Sequence, residues 1–154
     1  MKKIRELAKR KERVAQLREQ RAKIALERAQ KAVRDKETEI ESAEEEHRQQ
    51  EKTFLSTHSG ELGGGWLEVL EGSRTRHKDF LEKSREELAQ LEQELEAVRI
   101  AHNAALREAK SSEKVQEKVH SRWEAEVRKK EGKELDEVAS GRASRQGRSQ
   151  KGDS

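Results

Sequence analysis

Residues 56–65 read STHSGELGGG, where Gly60, Gly63, Gly64 and Gly65 put four glycines into six positions. The chain around them has 154 residues and no proline, and is built mainly from Glu, Lys, Arg, Gln, Ala and Leu. One glycine costs a helix interior about 1 kcal/mol relative to alanine, so this cluster melts more than a full turn. Glycine also supplies the positive φ angles that a chain reversal needs. Helix-forming sequence resumes at once on both sides. Two readings follow: the loop of an αα-hairpin, or a flexible linker inside one long interrupted helix that pairs with other copies. The hairpin is preferred, because two matched seams meeting at one short loop need no second chain.

Upstream of the glycines, residues 3–56 hold no glycine and no proline. Leu26, Ala29, Val33, Lys36, Ile40, Ala43, His47, Gln50 and Phe54 recur at alternating steps of three and four, and six of these nine are apolar. That is the seam of a coiled coil. Nearer the N-terminus, Ile4, Leu7, Val14, Leu17 and Ile24 form a stripe of displaced phase, which predicts a register slip between Val14 and Leu26. Downstream the seam runs Leu67, Leu70, Arg74, His77, Leu81, Ser84, Leu88, Leu91, Leu95, Val98, His102, Ala105, Ala109, Ser112, Gln116, Val119, Trp123, with eleven of seventeen apolar.

Composition limits the alternatives. Charged residues make up 44% of the chain and hydrophobic ones only 30%, too few for a compact core at this length. Such a chain is either disordered or helical with a narrow buried seam, and the sustained period selects the helix. Without cysteine, disulfides and thiolate metal sites are excluded, and a reducing compartment fits. No apolar run is long enough to span a membrane, and MKKIRELAKRKERV has the charge but not the apolar core of a secretory signal.

The predicted fold is therefore all-α: a long two-helix antiparallel coiled-coil hairpin with a disordered C-terminal tail. Helix 1 covers about 3–56, the loop 57–65, helix 2 about 66–140, and the tail 141–154. At ~1.5 Å per residue the helices reach roughly 80 and 115 Å. Met1 is expected level with about residue 120, which leaves the segment after Trp123, with Val127, Leu135 and Val138, unmated. Residues 1–35 carry 13 Lys/Arg against 5 Asp/Glu, whereas residues 36–99 carry 9 against 17. A basic open end and an acidic loop end hint at two different partners.

No catalytic constellation is present. GELGGG lacks the Lys and Ser/Thr of a phosphate loop. His47, His77 and His102 occupy seam positions, where polar residues more often fix register than bind zinc. The acidic run Glu44–Glu46 reads as a solvated face. Trp123 reads as seam packing. Trp66 either closes the turn against Phe54 or Leu55, or is an exposed anchor for a partner. The basic arm interleaves with Glu6, Glu12, Glu19 and Glu27 and lacks aromatic platforms, which argues against nucleic acid. A generic coiled-coil scaffold or a basic nucleic-acid-binding coiled coil is the alternative to a specific stalk.

The end of helix 2 reads KELDEVASGRASR, with Asp136, Glu137, Ala139 and Arg142 in the pattern K-x-L-D-E-x-A-x-x-R. Together with the long first helix, the mid-chain break and Trp66 opening helix 2, this resembles the FliJ family, including its injectisome counterparts, the SctO (YscO, HrpO) proteins. The resemblance implies a non-enzymatic central stalk of the type III export ATPase, without cofactor or metal, cytoplasmic and peripheral to the secretion apparatus at the inner membrane. Its open end would enter the hexameric ATPase ring. The other end would reach the cytoplasmic domain of the export-gate membrane protein, with export chaperones as further partners and no direct membrane insertion. Asp136, Glu137 and Arg142 carry over by motif as ring contacts. Arg5, Arg10 and Arg13 join them on charge and position alone. Where the flagellar member presents aromatic and apolar residues to the gate, this chain has Glu45, Gln49, Gly72 and Arg76, so Glu45, Gln49 and Trp66 form a weak gate candidate, and the injectisome branch fits better than the flagellar one.

Overall fold

The computed structural model describes residues 2–58 and 65–152, with side chains described as far as Arg145. Among the described residues the architecture is two helices packed against each other, α1 (Lys2–Thr57) and α2 (Gly65–Gly152), and no strand. The reversal expected at 57–65 falls mostly on residues 59–64, outside the described residues. Its flanks are visible: α1 ends at Thr57, and the His58 amide donates to the Phe54 carbonyl at 3.0 Å. Glu68 lies in the first turn of α2, where a carboxylate complements the helix dipole.

Two units divide the chain. The terminal unit comprises Met1–Arg18 and Leu106–Ser154, and the central unit Glu19–Ala105. In the central unit the pairings run in opposite senses along the two helices. His102 Nε2 meets Glu19 at 3.3 Å, Lys36 pairs with Glu87, Arg85 lies 3.6 Å from Glu44, and Arg74 pairs with Glu51. In the terminal unit the Arg18 guanidinium donates to Glu108 at 3.1 Å, while Arg5 lies over Trp123. Each unit is thus an antiparallel helix pair.

The α2 seam follows its expected phase. Leu70 and Ser84 are buried, and Leu81, Leu88, Leu91, Leu95, Val98 and His102 in the central unit are half-buried. Ala109, Ser112, Gln116, Val119 and Trp123 continue the pattern in the terminal unit. Two positions at its start differ. Leu67 is 45% exposed, and Arg74 is exposed in its ion pair while Ser73 is half-buried. On α1, Leu26, Ala29, Val33, Lys36, Ile40, Ala43, His47 and Phe54 face inward, and Gln50 is exposed.

The register slip predicted near residues 14–26 does not occur. Ala22 and Glu19 in the central unit, and Ala15, Glu12, Ala8 and Arg5 in the terminal unit, are buried or half-buried. Alternating steps of three and four therefore run without interruption from Arg5 to His47. Ala8 and Ala15 are 6% and 1% exposed, whereas Ile4, Leu7, Val14, Leu17 and Ile24 are 46–60% exposed. The physical reason is that keeping one phase costs no local rewinding of the helix, and small alanines satisfy a narrow two-helix seam. The large side chains of this arm instead point to solvent.

One further expectation shifts. Arg5 lies over Trp123, so the first residues of α1 reach past residue 120, the level expected for Met1. α2 is described to Gly152. Every described side chain from 128 to 145 is exposed, so this stretch of α2 has no packed partner among the described residues.

Candidate functional site

The terminal unit carries 21 Lys and Arg against 12 Asp and Glu, and the central unit 14 against 20, so they are +9 and −6. Contact chemistry with an acidic partner therefore concentrates on the terminal unit. Of the three arginines singled out there, two are available. Arg10 and Arg13 are exposed on α1. Arg10 lines a groove with Leu7, Lys11, Val14 and Arg18, closed on the far side by Glu108 and Ser112 of α2.

Arg5 differs from its expected role. It occupies a seam position, its guanidinium carbon sits 3.9 Å above the centre of the Trp123 ring, and its Nε is buried without a hydrogen-bond partner. It is committed to the intramolecular seam rather than presented outward. The reason is spacing: Arg5 lies one heptad before Glu12 and three residues before Ala8. Trp123 is then capped by a cation on one side and neighboured by His120, with ring centres 5.8 Å apart.

Asp136, Glu137 and Arg142 are all exposed on the uncovered stretch of α2. Helical spacing does not gather the three on one face. Glu137 and Arg142 border a groove with Glu134, Val138, Gly141 and Arg145. Among the described residues, α2 beyond Val127 bears no contact from α1, so both charge and backbone are accessible to a partner.

In the central unit, Glu45 and Gln49 are exposed and joined by a hydrogen bond from Gln49 Nε2 to Glu45 Oε1 at 3.1 Å. Trp66 takes part in the turn closure that one of its two readings expected, and it keeps an open face. Its ring stacks on His58 at 3.9 Å and meets Phe54 edge-on at 5.9 Å, which leaves it 37% exposed. An aromatic cluster thus staples the end of α1 to the start of α2.

The seam histidines find partners within the central unit. The His47 and His77 rings stack at 3.9 Å and 8°, and His102 meets Glu19. Burial, and then the neighbouring His47, push the His77 pKa below its ordinary value, against the opposing pull of Glu44 and Glu51. The hydrogen bond from Arg74 holds Glu51 below the usual carboxylate range. Lys36 and Glu87 stabilise each other's charged forms through their hydrogen bond, raising the one pKa and lowering the other. No group of three or more His, Cys, Asp or Glu that could hold a metal ion occurs among the described residues.

Sequence reasoning missed the outward apolar face of α1, formed by Ile4, Leu7, Val14 and Leu17 in the terminal unit. Extending the Leu26–Ala29 phase toward the N-terminus, through Ala22, Ala15 and Ala8, would have found it. No helix among the described residues is long and apolar enough to cross a membrane.

No curated protein and no solved structure matches the chain. A family model does: that of the flagellar FliJ protein aligns with residues 2–148, nearly the whole helical pair together with the exposed end of α2, and the chain belongs to the FliJ family.

Proposed function

We propose that this chain is the non-catalytic central stalk of a type III secretion ATPase, with its terminal unit inserted into the hexameric ring. Family membership suggests the coarser part of this reading, a stalk role in flagellar or type III export. The observation that carries the finer part is the terminal unit itself. It is strongly basic, it exposes Arg10 and Arg13 on α1, and it presents Asp136, Glu137 and Arg142 on an α2 stretch whose described side chains are all exposed. Exposed charge of this kind gives salt-sensitive attachment that forms quickly and tolerates sliding, as a stalk inside a ring requires. The central unit, with Glu45, Gln49 and Trp66, reaches the cytoplasmic domain of the export-gate membrane protein, and export chaperones are further partners. The protein then works in the cytoplasm, at the base of the secretion apparatus.

The experiment is reconstitution with the cognate export ATPase. Added stalk is expected to promote hexamer formation and raise the ATP hydrolysis rate. If both stay unchanged, the stalk reading fails. Charge reversal at Asp136, Glu137 and Arg142 is expected to weaken ATPase binding on the order of tenfold with helicity by circular dichroism intact. Unchanged affinity would remove these three residues from the contact.

A further inference from the structure

Beyond Val127, α2 is helical without the contacts that hold the rest of the molecule helical. All described side chains from 128 to 145 are exposed. Arg128 reaches back to Glu124 at 3.8 Å. Among the described residues, no side chain from Lys129 to Arg145 makes a hydrogen bond or an ion pair. Backbone propensity alone is left to keep the stretch helical, and unpacked helices of this length are marginal in water. The packed turns before Val127 supply the nucleus. The stretch therefore opens by fraying from its far end, while the packed turns stay closed.

Two residues within it weaken helix propagation. Gly132 and Gly141 are both helical, and a Cβ built on either would meet nothing within 4 Å. No close approach of another group therefore requires glycine at these positions. Each lowers the weight of every helix that runs past it by about fivefold relative to alanine. Asp136 and Glu137 lie beyond the first of these weak points, and Arg142 lies beyond both. Gly72 in the central unit offers a comparison. It too is helical, exposed and open to a Cβ, but its neighbours Leu70 and Ser73 are buried and half-buried.

We propose that α2 beyond Val127 is a conformational switch, passing between helix and coil independently of the helix pair and giving way first at Gly141 and then at Gly132. As helix, the stretch fixes Asp136, Glu137 and Arg142 at set positions along one rod. As coil, it releases them. A partner that engages the helical form draws the stretch closed. The glycines then hold the apparent affinity below that of a preformed helix. The switch belongs to the chain alone, and it rests on the stalk reading only where the export ATPase is taken as that partner.

The test uses the full chain and residue-resolved amide exchange. In the wild type, residues 128–145 are expected to exchange faster than the seam of α2. Gly132→Ala is expected to slow exchange from residue 133 onward by about fivefold, and Gly141→Ala to do so for 142–145 with less effect upstream. Both should raise the helical circular dichroism of the folded chain and leave the urea midpoint of the helix pair in place. Gly72→Ala should do the reverse, raising the midpoint without changing exchange at 128–145. A wild type protected as well over 128–145 as in the seam would overturn the proposal. So would three variants that behave alike, each moving the midpoint and none changing that exchange, because the stretch would then fold as one unit with the rest. With the export ATPase added, Gly132→Ala and Gly141→Ala should each tighten binding by up to about fivefold. Unchanged affinity in variants that exchange more slowly would overturn the part of the switch in binding. A wild type that does not bind the ATPase at all would instead sink the stalk reading, and the exchange result would still decide the switch.

Discussion

Along α1, the central and terminal units place most of their large apolar side chains differently, although the central unit also exposes several, among them Ile24, Val69 and Ile100. In the central unit, Leu26, Val33, Ile40, Leu70, Leu88, Leu91 and Leu95 lie in the seam between α1 and α2. In the terminal unit the α1 side of the seam is Arg5, Ala8, Glu12 and Ala15, while Ile4, Leu7, Val14 and Leu17 face solvent. Charge follows the same division, −6 in one and +9 in the other. The difference teaches that α1 buries its large apolar side chains where leucines face it across the seam, and leaves them to solvent where alanines carry the seam phase.

The comparison breaks most easily with a matched pair of truncations. Ile40→Ala removes a buried seam side chain and is expected to cost about 2 kcal/mol. Leu7→Ala removes a side chain of similar size that is 60% exposed, and is expected to change stability by no more than about 0.5 kcal/mol. Urea unfolding followed by helical circular dichroism reads both. If Leu7→Ala destabilises the isolated chain as much as Ile40→Ala does, that outward face is in fact core.

The contrast between the units also explains what could be read from sequence. The α2 seam from His77 to Trp123 was legible throughout, because leucines occupy most of its central positions and outweigh the polar ones. The α1 seam was legible only from Leu26 onward. Closer to the N-terminus, large apolar residues drew the eye to the wrong face, whereas Ala8, Ala15 and Ala22 carried the true phase with little hydrophobic weight. The same slip of attention placed Arg5 on the surface. The Trp66 cluster was half visible: Phe54 was named as a partner, but stacking on His58 depends on how the chain re-enters α2, which periodicity does not specify. Exposure of Asp136, Glu137 and Arg142 follows from unequal helix lengths, and those were legible.

A sharper and smaller test lies in the central unit, at the stacked His47 and His77. His77 is held below its ordinary pKa, so its neutral form is favoured in the folded chain. The stability this contributes is present above the ordinary histidine value, about 6.5, and is lost as pH falls below it. Glu44 and Glu51 oppose the effect, and Arg74 ties up Glu51, so the loss is expected to be smaller than that of Ile40→Ala. Thermal melts on either side of that pH should show the midpoint falling on acidification, and His77→Leu should flatten the dependence. A wild type whose midpoint is constant across this range would show that the stack tolerates charge.

The smallest expected effect concerns the contact of Arg5 with Trp123 in the terminal unit. Arg5 lies 3.9 Å over Trp123, half-buried, with its Nε unpaired. A cation over an indole ring contributes about 0.5–1 kcal/mol where water still has access. Arg5→Met keeps an apolar stem against the ring and removes the charge. Amide exchange on α1 before Arg18 and on α2 from Leu106 to Val127 should then quicken by about two- to fivefold, the same energy expressed as a rate ratio. Amides of the central unit, sealed by leucines rather than by this stack, should keep their protection. Equal quickening in both units would mean that they open as one body, and the contrast between a leucine seam and an alanine seam would have to be given up. Unchanged exchange in both would reduce the stack to packing of the arginine stem, leaving the alanine seam to hold the terminal unit closed unaided.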